Sequence, residues 1–240
     1  MKKKFLSSVV VITVVSCLTF PAFAMYGRVI ANSTMDVGGG VIMDTSIDGT
    51  GSAEEVIADK DDVMNIYAKT VIVDPDDYIL AQDETTEHYV RQAYNSCSTS
   101  LKRSDLKLGV YSVSTFAATR YTDNTTNNDV DIVGQEIVIA TKSAEPKQNV
   151  DNTDDEYVHV SLYDLSNNNA ILKNSLNSIP QKTILEVYGQ HLSQAGVGDK
   201  IPQIYVKPDG NSLYIVDETL TDGVMKTYYI IDGGVATKVK

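Results

Sequence analysis

The 240-residue chain has no tryptophan, two cysteines, three histidines and six prolines. Two cysteines cannot build a disulfide framework, so the fold has to stand on an apolar core. No internal stretch is apolar for 18 or more residues, which leaves the mature chain without a membrane-spanning helix. Basic side chains are the minority: 20 Lys+Arg face 32 Asp+Glu, for a formal net charge of −12. A surface of that sign repels a phosphate backbone and excludes nucleic acid as the expected partner. Catalytic signatures are missing too. There is no G-x-S-x-G elbow, no G-x-x-x-x-G-K-[ST] phosphate loop, no G-x-G-x-x-G after a strand and no C-x-x-C. His88, His159 and His191 lie too far apart for an H-x-H or H-x-x-x-H metal pair.

What is present begins at the N-terminus. Lys2, Lys3 and Lys4 precede a mostly apolar run from Phe5 to Phe20, Pro21 breaks it, and Ala22-Phe23-Ala24 is an A-x-A cleavage signal. This is the pattern of a bacterial secretory signal peptide over residues 1–24, and it predicts export to the periplasm or beyond. A second route competes. Val14-Val15-Ser16-Cys17 resembles a lipobox, which implies acylation of Cys17 and a lipid-anchored protein. Either route leaves Cys97 as the one thiol of the exported polypeptide: a buried apolar residue, an intermolecular linker, or a nucleophile that lacks a local histidine. Loss of the three leader lysines moves the net charge from −12 to −15.

Along residues 25–240 the signals favour strands. Tyr26–Ile30, Gly40–Met43, Val63–Val73, Leu106–Tyr121, Val130–Thr141 and Tyr157–Leu165 read as strands, and Tyr78–Leu80 as the start of another. Thr86–Cys97 reads as a helix with Tyr89, Val90, Ala93, Tyr94 and Cys97 at helical spacing. Pro180 opens a second helix over 180–195 that Gly196 ends, with a shorter one over Asn169–Asn177. The polar stretches 122–129 and 143–156 read as solvated loops, and the second is the best place for a boundary if the domain divides. Four short strands joined by turns at Pro208–Asn211, Thr221–Gly223 and Asp232–Gly234 predict a C-terminal antiparallel meander. The wording of residues 208–214, PDGNSLY, resembles the blade motif of exported β-propellers, but no second copy exists and a propeller needs at least four blades. The expected fold is α+β: one exported domain of largely antiparallel sheet, with one or two packed helices and the four-strand meander.

One segment matches a metal-ligating spacing. Asp44, Ser46, Asp48, Thr50, Ser52 and Glu55 occupy positions 1, 3, 5, 7, 9 and 12 of an EF-hand-type calcium loop, with Gly49 at its turn. The competing reading is an ordinary acidic glycine loop. No other cofactor is expected. The features together favour a non-catalytic binding or interaction module of the cell envelope, with an unknown protein or envelope ligand as partner. A secreted hydrolase, with carboxylates or a Ser/His/Asp set brought together by folding, is the rival. A subunit of a surface assembly joined by strand addition is the third reading.

Overall fold

The computed structural model describes residues 27–39, 43–137, 157–162, 165 and 181–239. The elements are β1 (Val29–Gly38), β2 (Thr45–Glu55), β3 (Val63–Val73), β4 (Ile79–His88), β5 (Gln92–Leu101), β6 (Gly109–Tyr121), β7 (Thr126–Ile137), β8 (Val158–Val160), α1 (Gln181–Leu192), β9 (Gln203–Val206), β10 (Ser212–Thr219), β11 (Gly223–Asp232) and β12 (Val235–Lys238). The protein is mostly antiparallel β-sheet. Its strands form three sheets of order β1-β2-β5, β4-β3-β6-β7 and β12-β11-β10-β9-β8, and one complete helix lies among the described residues.

The four-stranded sheet is the middle layer. Its strand β3 is buried at every position from Ala68 to Val73, because it has neighbours on both faces. Ile66, Ala68 and Ile72 pack toward the three-stranded sheet, against Val29, Ala53, Ala93 and Ile47. Val71 and Val73 point the other way, into the largest apolar cluster, with Ile184, Leu185 and Tyr188 of α1 and Ile204, Leu213 and Ile215 of the five-stranded sheet. Helix α1 carries Gly189 in its interior, a residue that costs helix stability. A side chain there would collide with the ring of Phe116, so the glycine lets the helix lie close on β6.

Lys69 is the exception in this apolar strand. It is 1 % exposed, and its Nζ donates to the carbonyls of Leu192 and Ala195 at 2.8 Å each. Leu192 is the last residue of α1, at the negative end of its dipole, and Ala195 lies in the turn that follows, its amide donating to the Leu192 carbonyl at 3.2 Å. Burial lowers the Lys69 pKa, and the charges of Glu84 and Asp199 oppose that shift.

Two apolar clusters fill the space between the three- and four-stranded sheets, and a polar layer divides them. Ser33 Oγ donates to Thr115 Oγ1 at 2.9 Å, Thr115 meets Thr70 at 3.1 Å, and Thr70 donates to Asn95. Asn95 Nδ2 donates to the Ala68 carbonyl at 2.9 Å. Gly51 faces this layer, where a side chain would strike Thr70 and Thr115. Along one flank, β1 has no ladder to β7. The β1 amides of Ala31 and Ser33 donate instead to the carboxylates of Asp129 and Asp131, at 2.9 and 2.7 Å.

Several expectations are corrected. Thr86–Cys97 is no helix: β4 ends at His88, Tyr89 takes φ 56°, and β5 runs from Gln92. Residues four apart share a face in strand and helix alike, so Ala93 and Cys97 fit both patterns. Tyr94, assigned to the buried stripe, is 63 % exposed. Residues 126–129 are not loop but the first part of β7, since the hairpin turn closes earlier, at Asn124 with φ 68°. The expected strand at Tyr157–Leu165 is cut to Val158–Val160, with helical backbone at Leu162 and Leu165. Residues 1–24, 40–42, 143–156 and 169–177 lie outside the described residues, and so does the end of the strand expected to reach Thr141.

Two outcomes test this account. Lys69→Met removes the donor that joins the Leu192 and Ala195 carbonyls to β3 and is expected to cost about 2 kcal/mol, read from the urea midpoint at unchanged slope. The second concerns Glu55, which is 1 % exposed and accepts hydrogen bonds from the amides of Arg28, Ile57 and Ala58 and from the Tyr121 hydroxyl. Burial alone would raise its pKa, and the bonds from Ala58, Tyr121, Ile57 and Arg28 together lower it below 4.5. A lowered carboxylate contributes stability that is complete above its unfolded pKa and lost as the pH falls through the folded value. Glu55→Gln is therefore expected to destabilise at pH 7 and to flatten the acid limb of a stability–pH curve below about pH 4.5.

Candidate functional site

The anticipated calcium residues do not form a loop. Ser46, Asp48, Thr50, Ser52 and Glu55 lie within β2, which pairs along its length with β1 and β5, and Asp44 directly precedes it. An extended strand rises about 3.3 Å per residue, so oxygens at positions 44 and 55 cannot close on one ion. Glu55 also faces the opposite side from Ser46, Asp48, Thr50 and Ser52, and its carboxylate is committed to protein donors. Among the described residues no group of three or more His, Cys, Asp or Glu side chains is placed to hold a metal.

Cys97 sits half-buried on β5, and its thiol contacts the Thr70 carbonyl at 3.7 Å. Burial, with a contribution from Asp83, pushes the thiol up to about 11. Such a shift disfavours the thiolate, the nucleophilic form.

The histidines are dispersed. His88 is exposed at the end of β4, and exposed His159 on β8 pairs with Gln203 at 2.8 Å. His191, in the last turn of α1, borders a cleft of about 190 Å³ with Asp217 of β10, Met225 of β11, and Asp199 and Lys200 from the segment after the helix. Its Nδ1 lies 2.7 Å from Asp217 Oδ2 and its Nε2 lies 2.8 Å from the Tyr229 hydroxyl. Both nitrogens of His191 are engaged within the protein, and the chain of carboxylate, imidazole and phenol ties the last turn of α1 to β10 and β11 as a clamp. Lys200 is similarly engaged, with Glu218 at 2.8 Å and over the Tyr78 ring at 5.0 Å.

The second feature is the outer face of the five-stranded sheet. The register places His159, Tyr205, Tyr214 and Tyr228 opposite one another on four consecutive strands. Their rings form a continuous row, with centroid separations of 5.1 Å from His159 to Tyr205, 4.7 Å from Tyr205 to Tyr214 and 5.2 Å from Tyr214 to Tyr228. Tyr157 meets Tyr214 edge-on at 4.9 Å, and Lys226 lies over the Tyr214 ring at 5.1 Å. Tyr205 and Tyr214 are buried in the row, while Tyr228 at its end is exposed. On the same face of β11, Val224 and Ile230 are more than half exposed.

No protein-family model matches the chain, and no curated protein matches it either. Function therefore has to be argued from the site. The sequence has fourteen tyrosines, and the row among them exists only through the register of four strands. Lys69 and the His191 clamp carried no motif at all. If His191 is a clamp, His191→Phe strands Asp217 and Tyr229 and is expected to cost about 2 kcal/mol in thermal or urea unfolding. A change below about 0.5 kcal/mol, the range of ordinary surface substitutions, would remove the clamp.

Proposed function

We propose that the chain is an exported, non-catalytic binding module of the bacterial cell envelope. On this reading residues 25–240 form one α+β unit, and its last four strands are the meander that carries the contact surface. The observation behind it is the outer face of that meander: Val224, Tyr228 and Ile230 stand exposed in one line along β11 and continue into the tyrosine row. Isolated exposed apolar side chains are ordinary, whereas aligned ones beside an aromatic row are the anatomy of a contact surface. The partner is a protein with an apolar patch and a basic rim, complementary to a chain of net charge −12 whose Glu218, Asp222 and Asp232 border the face. The N-terminal leader pattern supports export.

The hydrolase reading is weaker because the hydroxyl at His191 Nε2 is the Tyr229 phenol and no serine lines the described cleft. Binding of the purified protein to isolated envelopes of the producing bacterium, followed by co-sedimentation, tests the proposal. Saturable binding is expected. The double variant Tyr228→Ser, Ile230→Ser is expected to lower it about tenfold or more while leaving the unfolding temperature nearly unchanged, since both side chains are exposed. Equal binding by the variant overturns the assignment of the face, and an envelope-free protein starting at Met1 overturns export.

A further inference from the structure

The five-stranded sheet is open along part of β11. Strand β12 pairs only with Tyr229–Asp232, and the last contact on that side is the Val239 amide to the Tyr228 carbonyl at 2.8 Å. Strand polarity alternates: the Ile231 amide donates to Asn211 on the β10 side, so odd residues of β11 direct their amides and carbonyls to β10 and even residues direct theirs away. The amides and carbonyls of Val224 and Lys226 therefore point to an edge that no strand among the described residues occupies. The open stretch runs from Gly223, where the turn from β10 ends, to Thr227, where the β12 side begins.

Native sheets usually blunt such an edge with charge, lysine above all. Here the one lysine, Lys226, is laid inward over the Tyr214 ring, and the edge keeps Val224 at 64 % and Met225 at 48 % exposure. We propose that this edge pairs with the same edge of a second copy, antiparallel about a two-fold axis at Met225, joining two five-stranded sheets into one of ten strands. Five residues then face five. Val224 pairs with Lys226 of the second copy, and Lys226 with its Val224, so that four backbone hydrogen bonds form across the axis. Met225 meets Met225 of the second copy. Asp222 lies diagonal to Lys226 of the second copy and pairs the charges twice by symmetry. A longer partner strand would run into the β12 end at Val239, which limits the occupant to a segment as short as this one.

The inference shares Val224 and Asp222 with the envelope-binding face but does not rest on that reading, since it is carried by the backbone edge of β11 and by Met225. Sedimentation velocity of the purified protein over a concentration series tests it, with Met225→Lys and Met225→Glu as variants. Reversible dimerisation is expected for the wild type. Each variant sets like charges directly opposite one another and should weaken the dimer about tenfold or more, and an equimolar mixture of the two should restore it. Hydrogen exchange on the wild type is independent of how the variants fold: the Val224 and Lys226 amides should gain protection as concentration rises. A wild type that stays monomeric throughout, including one that pairs only with a different envelope protein, overturns the proposal. So does a dimer that both variants leave intact, or one in which those two amides exchange unchanged.

Discussion

A single buried ammonium couples the two parts of this protein. Lys69 belongs to β3, in the middle sheet, yet its Nζ donates to the last carbonyl of α1 and to that of Ala195 just beyond it, more than a hundred residues later. A buried charge is tolerated only where its hydrogen bonds are made. Helix-end carbonyls are acceptors that need donors in turn. The ammonium thus finds its acceptors in another part of the chain, and the Ala195 carbonyl finds in Lys69 a donor that its own segment does not supply among the described residues. The contact also fixes where α1 stops on the sheet. That position sets Gly189 over Phe116 and Tyr188 beside the Phe116 ring at 6.3 Å. It also turns His191 toward Asp217 and Tyr229.

The polar layer in the sandwich works by a related logic. Ser33, Thr70, Asn95 and Thr115 come from β1, β3, β5 and β6, so their hydrogen bonds close only when all four strands are in register. A one-residue slip would turn each side chain to the opposite face and leave its neighbours buried and unpaired, at about 1–3 kcal/mol per group. The cluster on one side is mostly alanine, with little shape to set a register, while the other is built on Ile47, Ile72, Tyr111 and Val113. The polar layer adds specificity to the pairing. The carboxylates of Asp129 and Asp131 perform the complementary task at the flank, capping amides of β1 that a sheet edge would otherwise leave open.

How much of this could be read from the sequence depended on whether the cue was local. Strand β3, helix α1 and the D-G turns before β11 and β12 have local cues, namely an apolar β-branched run, a proline-to-glycine frame and turn dipeptides, and each element lies close to where it is expected. The hairpin of β4 and β5 failed because its turn uses Tyr89 in a left-handed conformation, which tyrosine rarely marks. The calcium reading failed because spacing along a chain fixes which residues share a face only once the local conformation is known. A period of two placed four of the six oxygens along one side of a strand and Glu55 in the core. A lysine inside VMNIYAKTVIV was visible as an anomaly, but its partners were not, because they lie in another element.

The C-terminal sheet treats its two sides differently. Its inner face carries Leu213, Ile215, Tyr229 and Ile231 into the main core, and the His191 clamp closes the polar end of that face. Its outer face buries Tyr214 under neighbouring rings and the Lys226 ammonium, without help from another layer of described residues. Stacking rings flat along a sheet lowers their exposed area and limits their rotamer freedom, so little further entropy is lost when a partner settles on them. The register that aligns the rings on the outer face also sets Asp217 and Tyr229 on the inner face, where His191 meets both.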